Sequence, residues 1–409
     1  MRKFDIFSQK TGNSLNTSNP TSPNPLNLSA LRYFKSDRGE ALLTAASNAI
    51  DQGLNTQLRL RKNHPAEICR AALYLVELRL RAREKFPNAS EMFFDRDGYE
   101  MATRSEVAAY RAKRLSNCSE ILDLCCGIGG DSIFLAQNAK VIAVDVSRTR
   151  IEMARLNCTL QKKRDLLFVV ADANHFAHRT AAIFIDPARR ESQRRFRRGQ
   201  NYNPPLSIAE ELRKLTPNVI IKVSPAIPEE ELPHDAEIEF ISSRRQCREG
   251  VIYWGPIATA KRRATILPGS HTLTEDSKGE SPTSSPGRFL YDPDPAVVRA
   301  HLIDELARNI DAWKLDRQIA YLTNDVLVKT PFAKSYRILE VRPFSVKDLR
   351  HYLRQKGYFP AEIKRRRFPM EPREIERSLR VSVGDTPVVL VFTRIAGKMV
   401  CLICENIGI

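Results

Sequence analysis

From Glu120 onward the chain alternates short apolar runs with segments of helical pattern: EILDL, VIAVDV, LLFVVAD, AAIFIDP, NVIIKVSP, EIEFIS, GVIYWG and RRATILP. Each run has strand length. Runs of this kind separated by helical spacers predict an α/β fold, a parallel sheet with crossover helices. The last three runs lack long helical separators, which predicts an antiparallel hairpin at the edge of the sheet.

The flanking regions have a different texture. Residues 1–28 are rich in Ser, Asn, Thr and Pro, too polar to bury a core, and read as a disordered tail. Residues 29–117 read as a helical module, in which AEICRAALYLVELRLRAREKF sets Ile68, Ala72, Leu75 and Leu78 or Leu80 near one helical face and Pro65 fits the first turn. The α/β core is expected over 118–268 and a Ser/Thr/Gly/Pro linker over 269–287. A small α+β region follows: VVRAHLIDELARNI as a helix, LEVRPF as a strand, VKDLRHYLRQKGY as a helix, and VVLVFTRIAGKMVCLIC as a terminal hairpin.

Bulk properties exclude several classes. No run approaches the ~18 apolar residues of a membrane helix, and MRKFDIFSQKTGNSLN lacks the apolar stretch of a secretion signal, so a cytoplasmic protein with no membrane partner is expected. The eight cysteines show no framework spacing, and Cys401 and Cys404 form one CxxC without the further ligands that zinc requires. A net charge of +17 and a pI near 9.6 favour a phosphate polyanion as partner.

The run ILDLCCGIGGDSIFLAQ carries the most chemistry. An apolar strand ends at Asp123, and a loop of small residues leads into a helix. Gly127 and Gly129 can take backbone angles closed to other residues and let a ligand approach the main chain, while Cys125 and Cys126 stand where small side chains are needed. The next strand ends in Asp145, roughly 20 residues on, the position that suits two ribose hydroxyls of a nucleoside cofactor. The third strand carries Asp172, followed by Ala173, where a carboxylate can accept from an adenine amino group. The fourth ends in Asp186-Pro187. Dinucleotide folds share the first two acidic ends; all four in order favour S-adenosylmethionine. His175 and His178, at i and i+3, read as a solvated helix face because no third metal ligand is evident.

DLCCGIGGD resembles the first motif of class I RNA methyltransferases. The chain is similar throughout to a bacterial family of class I S-adenosylmethionine-dependent methyltransferases with a THUMP-like C-terminal domain. LRKNHPAEICRAALYLVELRLRAREKFPNASEMFF, DPARR, RRFRRGQNYNPPLS, KVSPAIP, FLYDPDPAVVRAHLIDELA and LEVRPF carry the likeness. The resemblance implies a Rossmann-like core, a ferredoxin-like segment over 288–335, a THUMP-like domain over 336–409, and RNA modification.

Amino-group methyltransferases commonly place Asp or Asn, two prolines and an aromatic at the fourth strand end. Here the tetrad is Asp186-Pro187-Ala188-Arg189, so stacking would have to come from Phe196 or Tyr202 in the following loop. The tetrad is also similar to that of uracil-C5 methyltransferases, which need a cysteine after the next strand; Ser224 stands there. Asp186 is the candidate for orienting a nucleophile and Lys222, at the fifth strand end, the second. Arg189, Arg190, Arg194, Arg195, Arg197 and Arg198 crowd around Phe196, as phosphate contacts with base stacking require, and Lys364 to Arg367 form a second basic cluster. Methylation of a base nitrogen in rRNA or tRNA is the leading reading. The alternatives are a methyltransferase of a small molecule or protein, and a non-catalytic RNA-binding module.

Overall fold

The computed structural model describes residues 24–52, 59–160, 165–176, 178–191, 194–195, 197–276, 278–381 and 384–407. The chain forms two compact units that divide between Met101 and Ala102. Among the described residues no helix is long and apolar enough to cross a membrane.

The first unit is helical: Leu28–Phe34, Asp37–Gln52, Ala66–Ala82 and Arg96–Met101. Asn27 caps the first helix by accepting from the Ala30 amide. Pro65 directly precedes the third, whose buried stripe contains Cys69, Ala72, Leu75, Val76 and Leu78. Leu80 points outward at 38% exposure, so the i+3 choice, Leu78, is the one that packs.

The second unit holds two large sheets. Strands β1 (Glu120–Leu124), β2 (Lys140–Asp145), β3 (Leu166–Val170) and β4 (Ala182–Ile185) are followed by a short hairpin, β5 (Arg190–Glu191) and β6 (Arg194–Arg195). Then come β7 (Asn218–Val223), β8 (Glu237–Ser243), β9 (Gln246–Trp254), β10 (Arg262–Leu267) and β11 (His271–Thr274). The first sheet has nine strands in the order β11-β10-β8-β9-β7-β4-β1-β2-β3. β3, β2, β1, β4 and β7 are mutually parallel. The strand order reverses between β1 and β4, which puts the ligand crevice of an open α/β sheet beyond their carboxyl ends.

The edge differs from the expectation. β9 inserts antiparallel between β7 and β8, so this hairpin is internal, and β10 runs parallel to β8. The true edge strand, β11, comes from the stretch read as a linker. Its Leu273 is buried against the core, a single apolar contact that composition averages away. Ser281, also in that stretch, is buried, its amide donating to Asp304 at 2.6 Å.

Arg244 and Arg245 connect β8 to β9, between the paired residues Ser243 and Gln246. Both have positive φ, 51° and 58°, as a type I′ turn requires. Holding non-glycine residues there costs about 1–3 kcal/mol each.

The second sheet comprises β12 (Phe289–Pro293), β13 (Trp313–Asp316), β14 (Ile319–Asn324), β15 (Ala333–Pro343), β16 (Tyr358–Arg365), β17 (Thr386–Ile395) and β18 (Lys398–Asn406). Its order is β13-β14-β12-β15-β18-β17-β16. The division expected at 335/336 falls inside β15, which pairs with β12 on one side and β18 on the other. The expected helix VVRAHLIDELARNI is two short ones, Pro295–Arg299 and Ile303–Asn309, interrupted at His301 with φ 60°. The helix Val346–Gln355 stops before Gly357, whose φ of 66° turns the chain into β16. β17 and β18 form the terminal hairpin. Cys401 and Cys404 are both buried and pack into different clusters.

Candidate active site

The carboxyl edge of the first sheet gathers the acidic strand ends. After β1 the loop takes positive φ at Cys125 (63°), Gly127 (56°) and Gly129 (81°). The two glycines serve different purposes. A Cβ on Gly129 would lie 3.2 Å from Ala154, so glycine there lets the helix Arg148–Leu160 pack against the loop. A Cβ on Gly127 would meet nothing within 4 Å, so that glycine faces open space. The Cys126 amide donates to the Val144 carbonyl at 2.9 Å, fixing the loop to β2. Burial, with the nearby carboxylates of Asp145 and Asp186, pushes the Cys125 thiol far up, as suits a packing residue and not a nucleophile.

Asp145 is buried, and its two oxygens accept from different amides: Oδ2 from Gly127 at 2.9 Å and Oδ1 from Ser147 at 2.8 Å. Asp172 is exposed; Oδ1 accepts from the backbone and the side-chain amide of Asn174, both at 2.9 Å, and these bonds hold its carboxyl below the usual value. Ala173 beside it is buried. His175 and His178 lie in a turn and an irregular segment, not on a helix. Asp123 is 1% exposed. Ser132 donates to its Oδ2, while Oδ1 has no partner among the described residues. Burial and then the neighbouring Asp131 raise its carboxyl well above the ordinary range.

Asp186 heads β4 at the crevice, 20% exposed at its side chain. Its Oδ2 accepts from the Lys222 ammonium at 2.6 Å. Lys222, on the adjacent β7 and almost fully buried, also donates to Thr103 Oγ1 at 2.8 Å and lies 3.7 Å from Glu249 Oε2. Thr103 in turn donates to Asp131 at 2.6 Å. Arg111, fully buried, bridges Asp131 and Glu249 through separate nitrogens, with its guanidinium 4.5 Å from the centre of the Phe184 ring. Burial alone would lower this guanidinium; the Asp131 and Glu249 carboxylates outweigh it and raise it. The circuit Asp186–Lys222–Thr103–Asp131–Arg111–Glu249 thus closes back on Lys222, three carboxylates against two cations.

Sequence reasoning reached Asp186 and Lys222 but missed Thr103, Arg111, Asp131 and Glu249. A signal existed for two of them. Arg111 shares the buried face of the helix Ser105–Arg114 with Val107 and Ala108, and Glu249 interrupts an apolar strand. Their pairing requires β9 beside β7, which local pattern does not reveal.

The loop after β4 is closed by paired backbone bonds between Ala188 and Asn203. Pro187 is buried, Arg189 is half-buried, and Arg197 and Arg198 are exposed. Arg194 lies on β6; Phe196 falls outside the described residues. Tyr202 corrects an expectation. At 3% exposure its ring sits in the core, and its hydroxyl donates to the Arg197 carbonyl and accepts from the Ser224 amide, bracing the loop. In the Lys364 to Arg367 cluster three of the four cations are ion-paired, and Arg367 is exposed without such a partner among the described residues. Lys364 and Arg366 both pair with Asp292, at 3.0 and 2.8 Å, and Arg365 pairs with Glu371. Phe368 is buried core. Burial would raise Asp292, but Lys364 and Arg366 hold it below the usual carboxylate value.

Comparison with known proteins agrees with this architecture. Residues 121–185 match a methyltransferase domain family, 333–406 a THUMP domain-like family, and 27–82 a domain of unknown function. Uncharacterised S-adenosylmethionine-dependent methyltransferases of two Mycobacterium tuberculosis strains, CDC 1551 / Oshkosh and H37Rv, are each 34% identical over 345 residues, covering 80% of this chain and 94% of theirs. The fold is that of a candidate methyltransferase from Porphyromonas gingivalis W83, at TM-score 0.73 and 21% identity over 90% of this chain and 98% of that one. The chain therefore belongs to the S-adenosylmethionine-dependent methyltransferases and carries a THUMP-like region near its C-terminus.

Proposed function

We propose that this enzyme methylates a base nitrogen of RNA, rRNA or tRNA, in the cytoplasm, with Asp186 orienting the nucleophile. The carrying observation is the Asp186–Lys222 pair: one carboxylate oxygen is held by a buried ammonium, and Oδ1 has no partner among the described residues at the mouth of the crevice.

The residues present fit the cofactor. The open space beside Gly127 admits a ligand against the main chain, and Asp145 keeps lone pairs on both oxygens for the ribose hydroxyls. Asp172, with Ala173, borders the adenine side, and Asp123, Cys125 and Gly129 shape the loop. S-adenosylmethionine supplies an electrophilic methyl group on a sulfonium. Asp186 Oδ1 accepts the N–H of the target nitrogen and turns its lone pair toward the crevice, and the proton released on methylation is accepted at the same oxygen. Lys222 keeps the carboxylate in one orientation, so positioning supplies most of the rate. The exposed Arg197 and Arg198, with Arg189 and Arg194 on the same loop, support a polyanionic substrate at the rim.

The test is methyl transfer from labelled S-adenosylmethionine to total RNA, read by nucleoside mass spectrometry. Asp186→Ala should lose about 10²–10⁴-fold in turnover, with cofactor affinity by calorimetry unchanged within about twofold. Label appearing in a protein or small-molecule fraction, and not in RNA, would overturn the reading.

A further inference from the structure

The β8–β9 turn carries the wrong residues for its geometry. Positive φ at both central positions favours Asn-Gly, and the β17–β18 hairpin places Ala396-Gly397 in its own two-residue turn. Here two arginines, Arg244 and Arg245, are held in that conformation. Strain retained against local preference is a sign that the side chains are kept for something other than folding.

The turn's position says what for. β9 is antiparallel to both β7 and β8, so β8 runs parallel to β7 and ends on the edge that carries Asp186 and Lys222. Strands β9 and β7 separate β8 from β4. Asp186 is level with Lys222, Val251 and Glu239, and β8 runs on from there to the turn. At about 4.8 Å per strand and about 3.3 Å per residue, the turn stands roughly 20 Å from Asp186. It also touches the second sheet. Arg245 donates to the Asp292 carbonyl at 2.9 Å and approaches its carboxylate at 3.6 Å, where Lys364 and Arg366 already pair. One carboxylate is thus shared by three cations. Arg244 and Arg367, which flank this group in sequence, are exposed and have no ion-pair partner among the described residues.

We infer that the Arg244–Arg245 turn is a phosphate-binding finger that carries an RNA strand from the THUMP-like sheet to the catalytic strand end, an inference that rests on the RNA reading above. Arg245 anchors the turn to the second sheet, and Arg244 and Arg367 supply the uncompensated charge. A nucleotide seated at Asp186 leaves its neighbours a few phosphates away along the same edge, within the turn's reach.

The experiment measures binding of bulk transfer RNA and bulk ribosomal RNA across salt concentrations, with Arg244→Asn alone and combined with Arg245→Gly. Both changes give the turn residues that its backbone prefers, so the fold survives, and the single variant leaves the Arg245–Asp292 pairing intact. RNA affinity should fall, and the salt slope should flatten by about 0.7–0.9 for each phosphate that the variant no longer neutralises. Melting temperature of the single variant should hold or rise, and cofactor affinity should not move. Arg373→Asn, an exposed arginine on the helix Pro372–Leu379, controls for removal of one charge and should change the slope less. Wild-type affinity and slope in the folded single and double variants, or an equal drop in the control, overturns the finger while leaving RNA methylation standing. A wild-type enzyme that neither binds nor methylates these RNAs overturns both.

Discussion

Two buried charge clusters sit in the same sheet and solve the same problem differently. In one, Arg114 and Arg263 face Glu237 and Glu239, with Tyr110, Tyr253 and Thr265 around them. Every carboxylate oxygen there has a donor: Arg114, Arg263 and the amides of Thr259 and Ala260 on Glu237, and Arg114 with three hydroxyls on Glu239. In the other, around Lys222, carboxylates outnumber cations, Arg111 Nε and Asp123 Oδ1 are buried without hydrogen-bond partners among the described residues, and Asp186 opens to the crevice. A sealed, balanced cluster holds a fold together. An unbalanced one at the carboxyl edge of the sheet carries the perturbed charges that chemistry uses.

The largest expected effect tests the sealed cluster. Arg114→Met strands two buried carboxylates and should cost about 3–5 kcal/mol of stability. Denaturant unfolding gives the loss, and activity per folded molecule should change by less than about threefold. If turnover collapses while stability holds, the cluster is not merely structural. The open cluster should behave the opposite way. Glu249→Gln removes the carboxylate between Lys222 and Arg111, and kcat should fall about 10–100-fold, or 1.4–2.7 kcal/mol at 1.36 kcal/mol per decade. The cofactor KM should stay within about twofold, and Glu249→Asp should restore part of the rate. A change confined to melting temperature would make Glu249 another structural carboxylate.

The smallest effect concerns Asp123, whose carboxyl is raised by burial and Asp131. A group with a raised folded pKa binds a proton that the unfolded chain releases above about pH 3.8. Its contribution to stability is therefore full in acid and declines as pH rises above that value toward the folded pKa. Asp123→Asn removes this penalty and should raise stability at neutral pH, with a flatter stability profile between acid and neutrality. An unchanged profile would mean that Asp123 is ionised in the fold.

How far the sequence reaches depends on how local the cause is. Asp145 and Asp186 were readable because each closes an apolar run, a local event, and Asp123 because it is a charge inside one, a residue short of the end of β1. Gly127 and Gly129 were readable as a loop, though not their division of labour, which depends on the helix that packs on Gly129. Arg111, Asp131 and Glu249 become partners only once helix, loop and β9 converge from distant parts of the chain. The basic cluster at Lys364 misled for the same reason, since its counter-ion Asp292 lies on another strand. Tyr202 is the aromatic that follows a tetrad lacking one, which suggests stacking, but the core takes its ring.

β15 has a consequence for modularity. Its 11 residues hydrogen-bond to β12 through their first half and to β18 through their second. The THUMP-like match begins at residue 333, the first residue of that strand. The region cannot be lifted out as a cassette: a cut there leaves β12 with a bare edge on one fragment and removes a central strand's support from the other. Grafting this C-terminal region onto another catalytic core would have to carry the β12–β14 segment with it, so the two halves of the second sheet are one inheritable unit.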